Sequence, residues 1–413
     1  MSTQSIEITV NGDKGMSKKI YLDNAATTEV HPEVLEAMLP YLKDYYGNPS
    51  SIHGLAKYAR DAREHARASV AELINAEPKE MYFTAGGTES DNWALKSVAF
   101  GNRSKGNHII VSKIEHHAVM NTCDFLGKNG FDITYLDVDE FGRVNPEDVR
   151  KAIGPETILI SIMYANNEIG TIEPICEIGK IAREHGILFH TDAVQAFGHV
   201  PIDVKAENID LLSASGHKVY GPKGVGALYV RDGVKLEPLM HGGAQERGIR
   251  AGTENVPGIV GMGKAAEIAK RGMGRDIVKE TELRDHMIHR LLTEVPFTKL
   301  NGHRFERLSG NVNIAFRFIE GESLLMLLNH KGIFVSTGSA CASGSLDPSH
   351  VLLAIGLKHE VAHGSVRFTL SYKTTEGEVD EAVDAVKESV ARLREMSPLY
   401  ADHINNGINK KEV

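Results

Sequence analysis

The sequence predicts an α/β fold with a mainly parallel sheet that is covered by helices on both faces. Short apolar runs alternate with helical patterns through the middle of the chain, and parallel strands require such crossovers. After about Val260, a long helical stretch to Glu294 leads into shorter strands and a final charged helix over 376–396. The strands predicted in the middle of the chain are 133–138, 157–164, 187–191, 209–213 and 224–230.

The length of the chain, 413 residues, exceeds the usual limit of one hydrophobic core and predicts two domains. We expect residues 1–22 to form an N-terminal extension and a segment that joins the smaller domain. Residues 23–260 should form the large domain, and residues 261–413 a smaller α+β domain. The first fifteen residues lack the apolar core of a secretory signal, and we expect translation to start at either Met1 or Met16.

Composition excludes several classes of protein. The formal net charge of -9 argues against nucleic-acid binding, which normally needs a basic face. No apolar run is long enough to span a bilayer. The 3 cysteines, Cys123, Cys176 and Cys341, are far apart and form neither a disulfide framework nor a CxxC metal motif. We expect a reducing cytoplasm, with Cys123 and Cys176 as packing residues.

The most informative segment is Ser-Ala-Ser-Gly-His-Lys, which ends at Lys218 and directly follows the predicted strand over 209–213. A lysine amine in a polar, phosphate-binding pocket is typical of a Schiff base with a carbonyl cofactor such as pyridoxal phosphate. An isolated lysine is more often a solvated surface residue. Three other segments favour the cofactor interpretation.

The predicted strand over 187–191 leads directly into Asp192, and acids at the carboxyl ends of parallel strands usually face a ligand. A pyridoxal ring needs a carboxylate opposite its ring nitrogen, and Gln195 is placed to donate to the ring hydroxyl. The residue alone leaves a second interpretation open, in which Asp192 caps a following helix.

A glycine-rich turn over 83–90 joins an apolar strand to a helical pattern that we expect from Ser90, and its backbone amides are suited to hold a phosphate. Glycines there also serve tight turns, so this signal is weak by itself. A further strand leads to His116 and His117. One of these imidazoles is suited to stack on a cofactor ring and relay protons, although a lone histidine there is more often structural.

These segments resemble a known family, the pyridoxal-phosphate-dependent cysteine desulfurases that supply sulfur for iron-sulfur clusters or nitrogenase maturation. The resemblance spans nearly everything from Ile20 to about Tyr400. It implies a fold-type I pyridoxal-phosphate transferase, with a seven-stranded type of sheet in the large domain. The further motifs are Tyr-Leu-Asp-Asn-Ala-Ala-Thr-Thr at 21–28, Gly-Asn-Pro-Ser-Ser-Ile-His at 47–53, Asn-Asn-Glu-Ile-Gly at 166–170, His-Gly-Gly at 241–243, Arg-Gly-Ile-Arg-Ala-Gly-Thr at 247–253 and Ser-Ala-Cys at 339–341.

The resemblance implies a role for each matching residue. Lys218 would be the Schiff-base lysine, Asp192 the pyridinium partner and His116, rather than His117, the stacking acid or base. Gln195 would meet the ring hydroxyl, and the substrate carboxylate would be held by Asn167 and Arg367. The apolar setting of Arg367 also predicts a buried carboxylate partner for it. The residues implied to hold the cofactor phosphate are Gly87, Thr88, Ser215 and His217, together with Thr253 from a neighbouring subunit, which implies a homodimer.

Cys341 is the implied sulfur acceptor. It lies among small residues in a segment over about 335–347, which is typical of an exposed, movable loop and not of a core. In the family the equivalent cysteine attacks the substrate sulfur and carries it away as a persulfide, and the context resembles the group with a long loop. We predict no metal ligand, although Cys341 is a candidate for holding a transient cluster.

Other functions stay open at this point. Another fold-type I enzyme is one alternative, either an aminotransferase, against which Cys341 argues, or a selenocysteine lyase. A non-catalytic scaffold for sulfur transfer is opposed by Lys218, Asp192 and Cys341. A nicotinamide oxidoreductase is opposed by the failed glycine fingerprint. The polar C-terminal tail is either frayed or a docking site for a scaffold protein. Neither the final sulfur acceptor nor any activator can be assigned.

Overall fold

The computed structural model describes residues 19–337 and 348–405. The strands along the chain are β1 (Ile20–Tyr21), β2 (Met81–Thr84), β3 (His108–Ser112), β4 (Asp132–Leu136), β5 (Thr157–Ser161), β6 (Leu188–Asp192), β7 (Leu211–Ser215), β8 (Gly226–Val230), β9 (Thr298–Leu300), β10 (Asn311–Phe316), β11 (Ile333–Phe334) and β12 (Ser365–Thr369). The α-helices are α1 (Pro32–Lys43), α2 (Gly54–Leu73), α3 (Gly87–Gly101), α4 (His117–Lys128), α5 (Pro146–Ala152), α6 (Ile175–His185), α7 (Val256–Glu294), α8 (Gly321–His330), α9 (His350–Ala354), α10 (His359–His363), α11 (Glu376–Glu395) and α12 (Pro398–Asn405).

Seven strands form the main sheet, in the order β2-β8-β7-β6-β5-β3-β4. Strand β8 is antiparallel to both of its neighbours, and the other neighbouring pairs are parallel. The segment 216–225 explains the exception, because it is shorter than the dozen or so residues that a parallel crossover needs. The predicted α/β fold with a mainly parallel, seven-stranded sheet is therefore confirmed.

The predicted elements are present, with shifted ends. Strand β7 begins and ends two residues later than predicted, which brings its last residue, Ser215, closer to Lys218. Helix α3 begins at Gly87 and not at Ser90, so the glycine-rich turn forms its first turn. The strand predicted over 157–164 ends at Ser161.

A second core lies around the antiparallel sheet β12-β10-β9 and the short parallel pair of β1 with β11. Helix α7, 39 residues long, contributes to both cores: Ile259 and Met262 pack in the first, and Met287 and Leu291 in the second. Since this one helix runs through residue 260, the predicted domain boundary remains a prediction.

The two cysteines of the described residues differ in environment. Cys123 on α4 is buried, as predicted. The prediction that Cys176 is a packing residue is wrong, because it is exposed. It lies on the solvent side of α6, whose isoleucines Ile175, Ile178 and Ile181 fill the buried side. Among the residues that the structure describes, no helix is both long and apolar enough to cross a membrane.

A buried ion pair fastens α2 to the main sheet. The Arg67 guanidinium donates to both carboxylate oxygens of Glu246, at 2.7 Å each, and also to the Met81 carbonyl at 2.9 Å. Glu246 in turn accepts from the Phe83 backbone N–H at 3.0 Å. Both charged residues are less than 5% exposed, at 2% for Arg67 and 4% for Glu246.

We predict that Glu246→Ala destabilises the protein by about 3–5 kcal/mol, because the buried Arg67 charge loses its partner. The free energy of unfolding, measured in denaturant, checks this. Lys79→Ala is the matched control, since its pair with Asp232 is exposed and should contribute much less to stability. Equal losses in the two variants would contradict the prediction.

Candidate active site

A cavity of about 300 Å³ opens at the carboxyl ends of β6 and β7, where ligands of parallel sheets bind. The structure brings most of the predicted site residues to this one cavity. Thr253 is exposed and lies outside its lining, and Cys341 lies outside the described residues. The predicted residues that line the cavity are Gly87, Thr88, His116, Asn167, Asp192, Gln195, Ser215, His217, Lys218 and Arg367.

Lys218 ends a single 3-10 turn, Gly216–Lys218, that directly follows β7. Its Nζ donates to the carbonyl oxygens of Ala25 at 2.5 Å and Ala26 at 2.7 Å. The Gln195 side-chain amide also donates to the Ala25 carbonyl, at 3.0 Å. The amine is thus held at the cavity wall by backbone oxygens.

Asp192 is the last residue of β6 and is only 5% exposed. One carboxylate oxygen accepts the Val194 backbone N–H at 2.9 Å, so this acid closes a local turn and still lines the cavity. Burial raises the pKa of Asp192, while the nearby His116 and Lys218 act in the opposite direction.

His116 is the N-cap of α4, and its Nδ1 accepts the Ala118 backbone N–H at 3.1 Å. Because Nδ1 is the acceptor there, the neutral ring carries its proton on Nε2. Burial lowers the pKa of His116, which favours that neutral form. The ring of His117 instead meets the ring of His350, at 4.9 Å between centroids.

The glycine-rich turn brings backbone close to the opposite wall of the cavity. A Cβ atom added to Gly87 would lie 2.5 Å from Val194 Cγ2, and Gly86 has a φ of 154°. The N-terminal amides of α3 favour an anion here. Ser215 and Thr88 supply hydroxyls to the same cavity. His217 is neutral at pH 7, because burial and the nearby Lys218 lower its pKa to about 4.

Arg367 on β12 is 2% exposed, and its guanidinium makes two described contacts at the cavity. One nitrogen lies 3.0 Å from an Asp23 carboxylate oxygen, and another donates to the Asn167 carbonyl at 2.8 Å. This arginine therefore has a carboxylate partner, although Asp23 is half-buried and not fully buried as predicted. Asn167 meets Arg367 through its backbone oxygen and not through its side-chain amide.

Several site residues were not predicted. Asp23, Ala25 and Ala26 belong to the motif at 21–28, which marked the family resemblance but suggested no role for them. Asp91 and Glu115 line the cavity as buried acids. Their only signal is position: Asp91 follows Thr88 by about one helical turn, and Glu115 immediately precedes His116.

The comparisons with known proteins agree with this geometry. A family model described as aminotransferase class-V matches residues 20–382. The chain is 60% identical over 383 residues to the cysteine desulfurase IscS of Methanosarcina thermophila, which covers 93% of this chain and 95% of that protein. The chain belongs to the cysteine desulfurases of the class-V aminotransferase family.

Solved structures show the same fold. A NifS-like protein superposes with a TM-score of 0.86 at 38% identity, over 91% of this chain and 100% of the other. A structure described as SspA in complex with cysteine gives a TM-score of 0.77 at 42% identity, over 87% of this chain and 100% of the other. The predicted family resemblance is thus confirmed.

Cysteine desulfurases depend on pyridoxal phosphate, and the cavity of this desulfurase fits that cofactor. An amine, a buried carboxylate and a helix N-terminus converge there, and these match an aldehyde, a ring nitrogen and a phosphate. The close approach at Gly87 leaves no room for a side chain at the first residue of α3. Lys218, Asp192 and the Gly87 region would therefore hold the cofactor at its three ends.

We predict that Gly87→Ala destabilises the desulfurase by about 1–3 kcal/mol, because the new methyl group overlaps Val194. The apoprotein's free energy of unfolding checks this, and Val194→Ala should restore part of the loss in the double variant. Gly54→Ala is the control, since an added Cβ at the start of α2 meets nothing within 4 Å. No rescue by Val194→Ala would show that the overlap is not the cause.

Proposed function

We propose that this cysteine desulfurase removes sulfur from L-cysteine, leaving L-alanine and a persulfide on Cys341 that is passed to iron-sulfur cluster assembly. The observation that carries the proposal is the convergence of Lys218, Asp192 and Arg367 on one cavity. These residues supply a nucleophilic amine, a buried anion and a guanidinium. A substrate with both an amino group and a carboxylate fits this set.

Arg367 is the proposed anchor of the substrate carboxylate. A planar guanidinium binds carboxylates through paired hydrogen bonds, and burial makes such bonds stronger than in water. The Asp23 carboxylate and the Asn167 carbonyl already fix the plane of this guanidinium. The substrate is thereby oriented with its amino group and side chain directed into the cavity.

Lys218 is the proposed nucleophile toward the cofactor aldehyde and the proposed base for the substrate's α proton. When bound, pyridoxal phosphate supplies an electron sink that weakens bonds to the α carbon. Asp192 would supply the negative charge that pairs with the ring nitrogen. His116, neutral and protonated on Nε2, would stack on the ring and is suited to give and regain a proton.

Cys341 is the proposed sulfur acceptor, and both ends of its segment lie at the cavity. Ser336 pairs with the Arg367 backbone in both directions, at 3.1 and 2.7 Å, and His350 lines the cavity. The residues from Ser336 to Cys341 span at most about 18 Å, which is enough to bring the thiol to the substrate. Its thiolate would bond to the substrate sulfur as the carbon-sulfur bond breaks, and protonation of that carbon leaves alanine.

A homodimer is the second part of the proposal. Helix α1 buries Val34, while Leu35, Leu39 and Leu42 on its other side are at least half exposed, at 50%, 51% and 60%. An exposed apolar patch of this kind favours a protein interface. Thr253 is also exposed, as a residue that reaches the phosphate site of a partner subunit must be.

The C-terminal region is the proposed docking site for the sulfur acceptor, in the cytoplasm. Helix α12 packs Tyr400 and His403 against Phe297 and Phe318. This packing turns Leu399 and Ile404 toward solvent, 61% and 56% exposed. Residues 406–413 of the tail lie outside the described residues.

We predict that the purified enzyme makes alanine and sulfide from L-cysteine with a reductant, and that Cys341→Ala keeps the cofactor absorbance but makes neither product. Cys176→Ala is the matched control, because it removes an exposed thiol that does not line the cavity. Lys218→Ala should lose the absorbance of lysine-bound cofactor. Transamination, or activity with selenocysteine alone, would favour the alternative enzymes, and a protein without any turnover would favour the scaffold.

The same assay tests docking. Leu399→Asp with Ile404→Asp should leave alanine formation intact and reduce persulfide transfer to a purified scaffold protein. Equal transfer by this variant and the wild type would exclude α12 as the docking site.

We further predict that mixing subunits restores activity, if Thr253 serves the partner's site. Lys218→Ala and Thr253→Asp dimers should each be weak, whereas randomly mixed dimers should reach about one quarter of the wild-type rate, since half are heterodimers with one intact site. The alanine formed after co-refolding gives this rate. A mixture no more active than the mean of its parents would show that the sites are not shared.

A further inference from the structure

Asp91 brings a second carboxylic acid to the floor of the cavity, close to Asp192. Oxygens of these two acids and a ring nitrogen of His116 all lie within 4.8 Å of one another. Asp91 is 1% exposed, and its Oδ1 has no hydrogen-bond partner in the structure. No mechanism described above uses this group.

Among the residues that the structure describes, the groups around Asp91 are hydroxyls, other acids and imidazoles. The Ser213 side chain acts through hydrogen bonding to lower the pKa of Asp91, and Ser213 Oγ also lies 3.0 Å from His190 Nε2. The other nitrogen of His190 lies 2.8 Å from Ser161 Oγ. Although His190 Nε2 is 3.7 Å from Asp91 Oδ1, the ring is neutral, because burial lowers its pKa to about 3.

The two acids therefore have unequal neighbours. Asp192 accepts a backbone N–H from Val194 and lies near His116 and Lys218, all of which stabilise a negative charge. Asp91 faces the negative charges of Asp192 and Glu115, with the Ser213 hydroxyl and the neutral His116 ring as its polar neighbours. Two buried carboxylates so close together do not both ionise near neutral pH.

We propose that Asp91 is a positioning residue that holds the single proton of this pair, so that the negative charge stays on Asp192. The inference rests on the proposed function in taking Asp192 as the cofactor's charged partner. When Asp91 is neutral, the one negative charge of this pair of acids stays on Asp192. If Asp91 were ionised, it would compete with Asp192 for the same cationic ring nitrogen.

This assignment has a consequence for stability against pH. Burial and the charge of Asp192 raise the pKa of Asp91 well above its ordinary value. The folded protein then keeps a proton that the unfolded chain releases above about pH 4, so stability falls as the pH rises between those two pKa values. Asparagine holds no such proton, and this loss should disappear in Asp91→Asn.

The experiment compares apoproteins by denaturant unfolding from about pH 5 to about pH 9. The stability of Asp91→Asn should decrease less steeply with pH than that of the wild type, with a slope difference that approaches one proton per molecule. Parallel curves, or a variant equally destabilised at every pH, would overturn the proposal. A purely structural role predicts that second outcome.

A double-mutant cycle tests whether the proton belongs to the pair. In Asp192→Asn, Asp91 loses its charged neighbour, so adding Asp91→Asn should change the slope less than it does in the wild type. Glu173→Gln is the matched control: Glu173 is 3% exposed and burial raises its pKa to about 8, but Asp192 is not among its neighbours. The effect of Glu173→Gln on the pH slope should add to that of Asp192→Asn. Additive effects in the Asp91 cycle as well as in this control cycle would contradict the inference.

Cofactor titration separates this inference from the proposed function. At pH 7, Asp91→Asn should bind pyridoxal phosphate with a Kd within about threefold of wild type, since one neutral group replaces another. Asp192→Asn should bind at least about tenfold more weakly, because it removes a charged partner. If Asp192→Asn binds normally while the pH slopes behave as expected, the role of Asp192 fails and the proton assignment stands. If Asp91→Asn binds as weakly as Asp192→Asn, Asp91 is not neutral.

Discussion

The active site depends on the short segment from Asp23 to Thr28, which ties two sheets together. On one side the Asn24 side-chain amide and the Ala25 backbone N–H donate to Thr369 on β12, and Asp23 holds Arg367. On the other side its carbonyls hold the Lys218 amine, and Thr28 bonds to the His217 carbonyl through its backbone and its hydroxyl. The amine and the guanidinium come from separate sheets, and this segment contacts both of them.

The pKa values of the acids at the floor of the cavity are raised because these acids are buried with few cations nearby. Glu115 is fully enclosed, and burial raises its pKa to about 8 although Ser112 and the Met163 backbone N–H donate to it. Burial acts in the same direction on Asp91 and Asp192. In a medium of low dielectric, such acids keep protons near neutral pH unless a donor or a cation stabilises the charged form. The donors and cations beside each acid therefore decide which of these acids keeps its proton near neutral pH.

The site residues that follow strands could be predicted from the sequence. Asp192 and Lys218 could be predicted because the carboxyl ends of parallel strands meet at one edge, and both residues lie at such ends. Asp23 could not, because its partner Arg367 is 344 positions away and only the tertiary fold brings them together. Asp91 lies on a helix, where its inward direction depends on the early start of α3 at Gly87. Cys176 was predicted wrongly in the opposite way. The apolar character of a single cysteine does not say which side of a helix that residue lies on.

The backbone pairing of Ser336 with Arg367 connects the proposed substrate-binding residue to the segment that contains Cys341. The side chain of Arg367 is positioned to hold a carboxylate, while its backbone exchanges hydrogen bonds with the residue from which the Cys341 segment departs. One residue of β12 therefore links the proposed anchor of the substrate carboxylate to the point from which the described chain leads toward Cys341. The position of β12 thus bears on both proposed reactants through a single residue.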